Sequence, residues 1–337
     1  MAIDCDENNY IVSLLFSNST KEGKNTSMLS GEGETIHEAI KKISLSVPKE
    51  LYISHLSCII ISDDVAKKGI TPVLDYLLRE PESNQNFNLI ISKDFKAQDI
   101  LSVITPLSDY PSQNINSTIK VSEKEQARVI KSNFNQFIST LLNPGINPVA
   151  NSITLIDDKK NTKIDNLAIF KKDRLIDWAT TDESIGINML NGNVKNLYTN
   201  ININDTNIVI TCTKYKIKKE YKNNKFIVNI YCEGGIKEID NKINIKDKKV
   251  LDEIEKETIK ELKEYTDSAI IKSQNLKDDI LGYGNYIYKH NRKSFEKIND
   301  WDEYFSKLDI EVNINFKLIN VGSTLESIGE LSKWKIN

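Results

Sequence analysis

Apolar and polar positions alternate most cleanly near the end of the chain. Ile310, Val312, Ile314, Phe316 and Leu318 are separated by Glu311, Asn313, Asn315 and Lys317. A period of two with one apolar face predicts a strand buried on one side and wet on the other, and from that an antiparallel sheet. Upstream, residues 250–274 carry Leu251, Ile254, Thr258, Leu262, Tyr265 and Ala269 along one helical stripe, predicting the longest helix of the chain. Runs at 208–217 and 226–232 flank Asn223-Asn224 and read as a β-hairpin.

The beginning of the chain has another rhythm. Strand-like runs at 10–16, 51–61 and 87–92 alternate with helical ones at 34–46, 62–69, 73–79 and 97–103. A β-α-β order of this kind favours parallel neighbours covered by helices. Pro106 and Pro111 among polar residues predict a loop over 105–118. A single long helix is predicted at 122–142, stopped by Asn143-Pro144-Gly145. Short strands at 152–156, 164–171 and 175–178 follow, then a helix at 182–190 closed by Asn191-Gly192. The expected fold is mixed α/β and α+β in three domains. These are an α/β domain at 1–143, a small α+β domain at 144–205, and an α+β domain at 206–337 whose antiparallel sheet packs with the long helix.

Composition narrows the function classes. The 337 residues include 45 basic and 48 acidic side chains, a net charge of −3, which provides no basic face for nucleic acid. Arginine occurs only at Arg79, Arg128, Arg174 and Arg292, so bidentate phosphate clamps have little material. No apolar run reaches the ~18 residues of a membrane span. Cys5, Cys58, Cys212 and Cys232 have no C-x-x-C spacing, which argues against structural zinc. With the hairpin turning at Asn223-Asn224, Lys222 faces Lys225 and Cys212 faces Gly235. That leaves Cys232 about 10 Å away along the strand, so buried free thiols are expected.

Motifs that could carry chemistry are incomplete. Gly31-Glu32-Gly33 before a helix resembles a dinucleotide loop, but Ile36 stands where the third glycine belongs, and Glu32 and Glu34 would repel a pyrophosphate. It is expected to be a flexible loop. His37-Glu38 lacks the second histidine of a zinc-protease helix, since Lys41 occupies that position. His55 and His290 lie far apart in sequence and are read as structural. Asp63-Asp64 and Asp278-Asp279 suit helix starts better than catalysis. Lys214, Lys216, Lys218 and Lys219 form a basic strand end, read as surface with lipid headgroups as an alternative. No catalytic, cofactor-binding or metal-binding residue is assigned.

Several segments, taken in order, resemble the Ger(x)C family, the C-subunit lipoproteins of spore germinant receptors. Ala2-Ile3-Asp4-Cys5-Asp6 with Tyr10 and Val12 is similar to its G-I-D-x-D opening, with Ala2 in place of glycine. Gly33-Glu34-Thr35-Ile36-His37-Glu38-Ala39-Ile40 resembles its early helix. Leu51-Tyr52-Ile53-Ser54-His55 resembles its L-Y-x-x-H strand, and Asp75-Tyr76-Leu77-Leu78-Arg79-Glu80 the segment that follows. Ala168-Ile169-Phe170-Lys171 through Leu175 resembles the opening of its C-terminal region. The most specific block is Asp279-Ile280-Leu281-Gly282-Tyr283-Gly284, then Trp301 and Phe305, then a final strand ending at Val321-Gly322.

The resemblance implies a non-catalytic subunit with three α/β-type domains, acting at the outer face of the spore inner membrane with receptor A and B subunits. It implies attachment by a lipid on an N-terminal cysteine. Cys5 has no lipobox before it and is not that cysteine, so the chain is expected to be a soluble fragment without signal peptide or lipidated residue. It also implies that Asp279, Gly282 and Gly284 build a helix-to-turn junction and that Trp301 and Phe305 anchor the last helix. Whether the chain contacts the small-molecule germinant stays open. The alternatives are an extracytoplasmic solute-binding protein holding the nutrient itself and, more remotely, a hydrolase.

Overall fold

A computed structural model describes residues 1–20, 23–48, 51, 56–80, 85–105, 110–131, 133–240 and 243–320. The chain forms two compact units, one of Met1–Val121 with Val129–Thr180, the other of Ser122–Arg128 with the chain from Thr181 onward. The sequence break expected at 143–148 falls inside the first unit. The boundary expected at 205/206 falls in the turn between two paired strands of the second.

The first unit is built on an eight-stranded sheet. Its strands are β1 (Ala2–Asp6), β2 (Asn9–Thr20), β3 (Gly23–Gly33), β4 (Cys58–Ser62), β5 (Asn88–Ser92), β6 (Val149–Ile156), β7 (Asn161–Lys171) and β8 (Arg174–Trp178), in the spatial order β3-β2-β1-β4-β5-β6-β7-β8. The centre is parallel and both flanks are antiparallel. All five residues of β4 are buried: Ile59 and Ile61 enter one core, Cys58 and Ile60 the other. A strand covered on both faces needs the continuous apolar run seen here, and each buried isoleucine contributes roughly 1.5–3 kcal/mol. Among the described residues of the run expected at 51–61, strand begins at Cys58; Tyr52–His55 lie outside the described residues.

Helices cover both faces. On one side pack α1 (Ile36–Ser44), α2 (Asp63–Lys68), α3 (Thr71–Arg79) and α6 (Phe134–Leu142); on the other pack α4 (Ala97–Leu101) and α5 (Pro111–Glu125). Two expectations are corrected here. Pro111 does not continue a loop but opens α5, where its fixed φ and missing N–H suit the first turn. The single helix expected at 122–142 is two helices. α5 ends at Glu125, and α6 restarts from a capping box in which the Asn133 side chain accepts from Gln136 N. Between them Asn151 pairs with both backbone groups of Ile130 at 3.0 and 2.7 Å, a bond pattern that holds Ile130 outside a helix.

The second unit holds α7 (Thr181–Asn191), β9 (Leu197–Ile203), β10 (Thr206–Lys222), β11 (Lys225–Ile239), α8 (Lys248–Asn275), α9 (Tyr283–His290), α10 (Arg292–Phe295), α11 (Trp301–Ser306) and β12 (Asp309–Asn320). The four strands make one sheet, β12-β11-β10-β9. Asn223 and Asn224 carry φ of 52° and 59°, the tight turn whose twist matches a hairpin. β9, β10 and β11 are antiparallel as expected, but β12 pairs with β11 in parallel. The helices between β11 and β12 supply the crossover that parallel pairing requires.

Candidate functional site

The block most specific in the sequence folds around one carboxylate. α8 ends at Asn275, and Lys277 takes a left-handed φ of 49°. Asp278 N then returns to Ser273 O, and the chain reaches Asp279, which is 1% exposed. Gly282, at φ 71°, reverses the chain into α9. This is a conformation in which a side chain costs about 1 kcal/mol.

Asp279 uses every acceptor position it has. Oδ1 accepts from Leu281 N at 3.1 Å and Tyr283 N at 3.2 Å, while Oδ2 accepts from Gly284 N at 2.7 Å and Trp301 Nε1 at 3.2 Å. The carboxylate therefore collects the open N–H groups at the start of α9 and ties α11 to them.

A lysine completes the electrostatics. Lys219 on β10 donates to Leu281 O at 3.2 Å, and its ammonium lies 4.9 Å from the centre of the Tyr283 ring. Tyr286 Oη donates back to Lys219 O. Burial pushes Asp279 up to about 6 against the pull of its N–H donors and of Lys219. Burial brings Lys219 down to about 8, with Asp279 opposing. Around the pair, Phe226 lies 4.5 Å from Tyr283 and 5.5 Å from Tyr286, and Tyr283 faces Phe305, which is fully buried. Aromatic pairs at such separations add roughly 0.5–1.5 kcal/mol beyond burial.

This arrangement holds segments together. Buried and already holding four N–H donors, the Asp279 carboxylate presents no open face to a substrate. Among the described residues, no group of three or more His, Cys, Asp or Glu is placed to hold a metal ion.

The other sequence candidates are dispersed. Gly31 and Gly33 lie at the end of β3 rather than in a flexible loop. A Cβ at Gly31 would run into the Ala39 carbonyl, so these glycines let α1 pack onto the strand. His37 is exposed, and Glu38 pairs with Lys42 at 2.9 Å and caps Glu34 N. His55 lies outside the described residues. His290 is exposed and stacks on Tyr286 at 4.1 Å. Asp63 pairs with Lys67 in the first turn of α2. Lys214 pairs with Glu233, and Lys216 and Lys218 are exposed.

Lys219 is the residue that sequence reasoning placed wrongly, as part of that surface. The signal was available: adjacent strand residues point to opposite faces, so Lys219 had to leave the face of Lys218 and join that of Ile217 and Tyr221.

Comparison with known proteins gives these features a context. Residues 1–155 match the family described as "Spore germination protein N-terminal domain", and residues 165–322 match "Spore germination B3/ GerAC like, C-terminal". The chain is 30% identical to "Spore germination protein KC" of Bacillus subtilis (strain 168), over 85% of this chain and 76% of that protein. It is 22% identical to "Spore germination protein GerQC" of Bacillus cereus, over 89% of this chain and 84% of that one. The solved structure of the GerBC protein shares the fold, with a TM-score of 0.61 at 18% identity, covering 94% of this chain and 96% of that one.

Proposed function

Because the chain belongs to the spore germination receptor C-subunit family, we propose that it serves as the non-catalytic C subunit of a nutrient germinant receptor. In this reading it works through protein contacts with the A and B subunits at the outer face of the spore inner membrane. A lipid on an N-terminal cysteine, distinct from Cys5, holds it there. The observation that carries the reading is the succession of both family domains along one chain, at 1–155 and 165–322. The saturated Asp279 carboxylate supports it, because the most specific motif is spent on holding α9 and α11 in place.

Titration calorimetry with amino acids, sugars and nucleosides separates this reading from a nutrient-binding one. The receptor-subunit reading expects no saturable heat from the isolated chain. Saturable binding of one nutrient would transfer the proposal to a solute-binding role.

A further inference from the structure

The hairpin of β10 and β11 brings two cysteines together that a simple count keeps apart. Lys222 pairs with Lys225 and Tyr215 with Cys232, but the register shifts between Cys212 and Lys214, so Cys212 lies opposite Gly234 and not Gly235. Cys232 is then two residues along β11 from the partner of Cys212, and residues two apart share a face. Both cysteines lie on the buried side of the sheet, 1% and 2% exposed. Gly234, directly opposite Cys212, puts no side chain between them. A Cβ there would run into the Thr211 carbonyl, so the bulge itself requires glycine. Both are free cysteines.

We propose that Cys212 and Cys232 are a redox-closable pair, oxidised to an intramolecular disulfide by a small-molecule disulfide such as oxidised glutathione. One cysteine, as thiolate, attacks the glutathione disulfide. The S–S bond breaks and one glutathione leaves with a proton. The second cysteine displaces the second glutathione from the mixed disulfide, and it too leaves as the thiol. Two protein thiols are oxidised and one glutathione disulfide is reduced to two thiols. The closed bond would pin the bulge that joins β10 to β11. The neighbouring Cys232 thiol and burial hold Cys212 above the ordinary thiol range. Closure is therefore gated by opening of the bulge, because the thiolate is the attacking species. This inference is independent of the receptor reading.

Cys5 is the natural competitor. It is half-buried and its sulfur accepts from Lys68 at 3.5 Å, so it is the thiol to which a simple mixed disulfide should go. The test is incubation of the chain with oxidised glutathione in denaturant below the unfolding transition, then thiol counting and peptide mapping. The expected result is loss of two of the four thiols to a linked peptide joining Cys212 and Cys232. Cys212→Ser should abolish that peptide, and so should Cys232→Ala. The proposal is overturned if the wild-type chain keeps all four thiols. It is equally overturned if mapping finds only glutathione adducts, or only linkages through Cys5 or Cys58.

Discussion

Asp4 in the first unit and Asp279 in the second are both buried aspartates that collect backbone N–H groups where a helix begins. Asp4 ends its reach there. Its oxygens accept from Ala97 N at 2.7 Å and Gln98 N at 3.0 Å, capping α4 from the neighbouring β1. Burial raises its pKa, and the two N–H groups and Lys96 pull the other way. Asp279 takes four donors from two elements and has Lys219 enclosed beside it. One aspartate caps a helix; the other organises a chain reversal and a helix start and ties a second helix to them. Sequence motifs marked both residues, Asp279 within the more specific block. The number of segments that depend on each separates their roles.

Asparagine at each position is the largest test of that contrast. Asp279→Asn turns an acceptor oxygen into an N–H donor facing other donors, and should cost about 3–5 kcal/mol. Asp4→Asn should cost about 1–2 kcal/mol, the scale of a lost cap. Urea denaturation measures both, and a larger loss at Asp4 would break the comparison.

Next in size is Lys219→Met, expected to cost about 2 kcal/mol by leaving the buried carboxylate without its cation. It should also change the pH profile of stability. The folded pKa of Asp279 is raised from 3.8 to about 6, so the native state binds the proton more tightly and this contribution is lost as pH rises from about 4 to 6. The folded pKa of Lys219 is lowered from 10.5 to about 8, so its contribution grows as pH rises from 8 to 10.5 and is lost on the way down. Thermal melts should lose the alkaline rise in Lys219→Met and the acidic fall in Asp279→Asn. An unchanged alkaline limb in Lys219→Met would place the ammonium in water.

Gly282→Ala is the smallest of these changes, about 1 kcal/mol for a left-handed residue that gains a Cβ. A neutral result in a denaturant titration would mean that the chain reversal after Asp279 tolerates ordinary backbone geometry.

What was legible in the sequence follows from what a pattern encodes. Alternation at 310–318 specified a buried and a wet face, which β12 has, but alternation carries no information on strand direction. The helices between β11 and β12 decided that; the longest of them was predicted at 250–274, but not that it serves as a crossover to a parallel strand. The apolar run at 58–61 did signal burial on both sides. The stretch 122–142 kept its helical spacing in sequence across a true interruption, where the side chain of Asn151, a partner 21 residues away, holds Ile130 outside a helix. Gly31 and Gly33 looked like loop glycines because their demand comes from α1 packing on them, a tertiary cause. Asp279 was visible as a motif, but its lysine was hidden among three surface lysines of the same strand.

The central functional claim is best tested by affinity purification of the tagged full-length protein from detergent-solubilised membranes of dormant spores. The account predicts that the A and B subunits elute with it and stay bound through washing at high salt. Elution of the protein alone, from membranes that demonstrably contain both subunits, would contradict it.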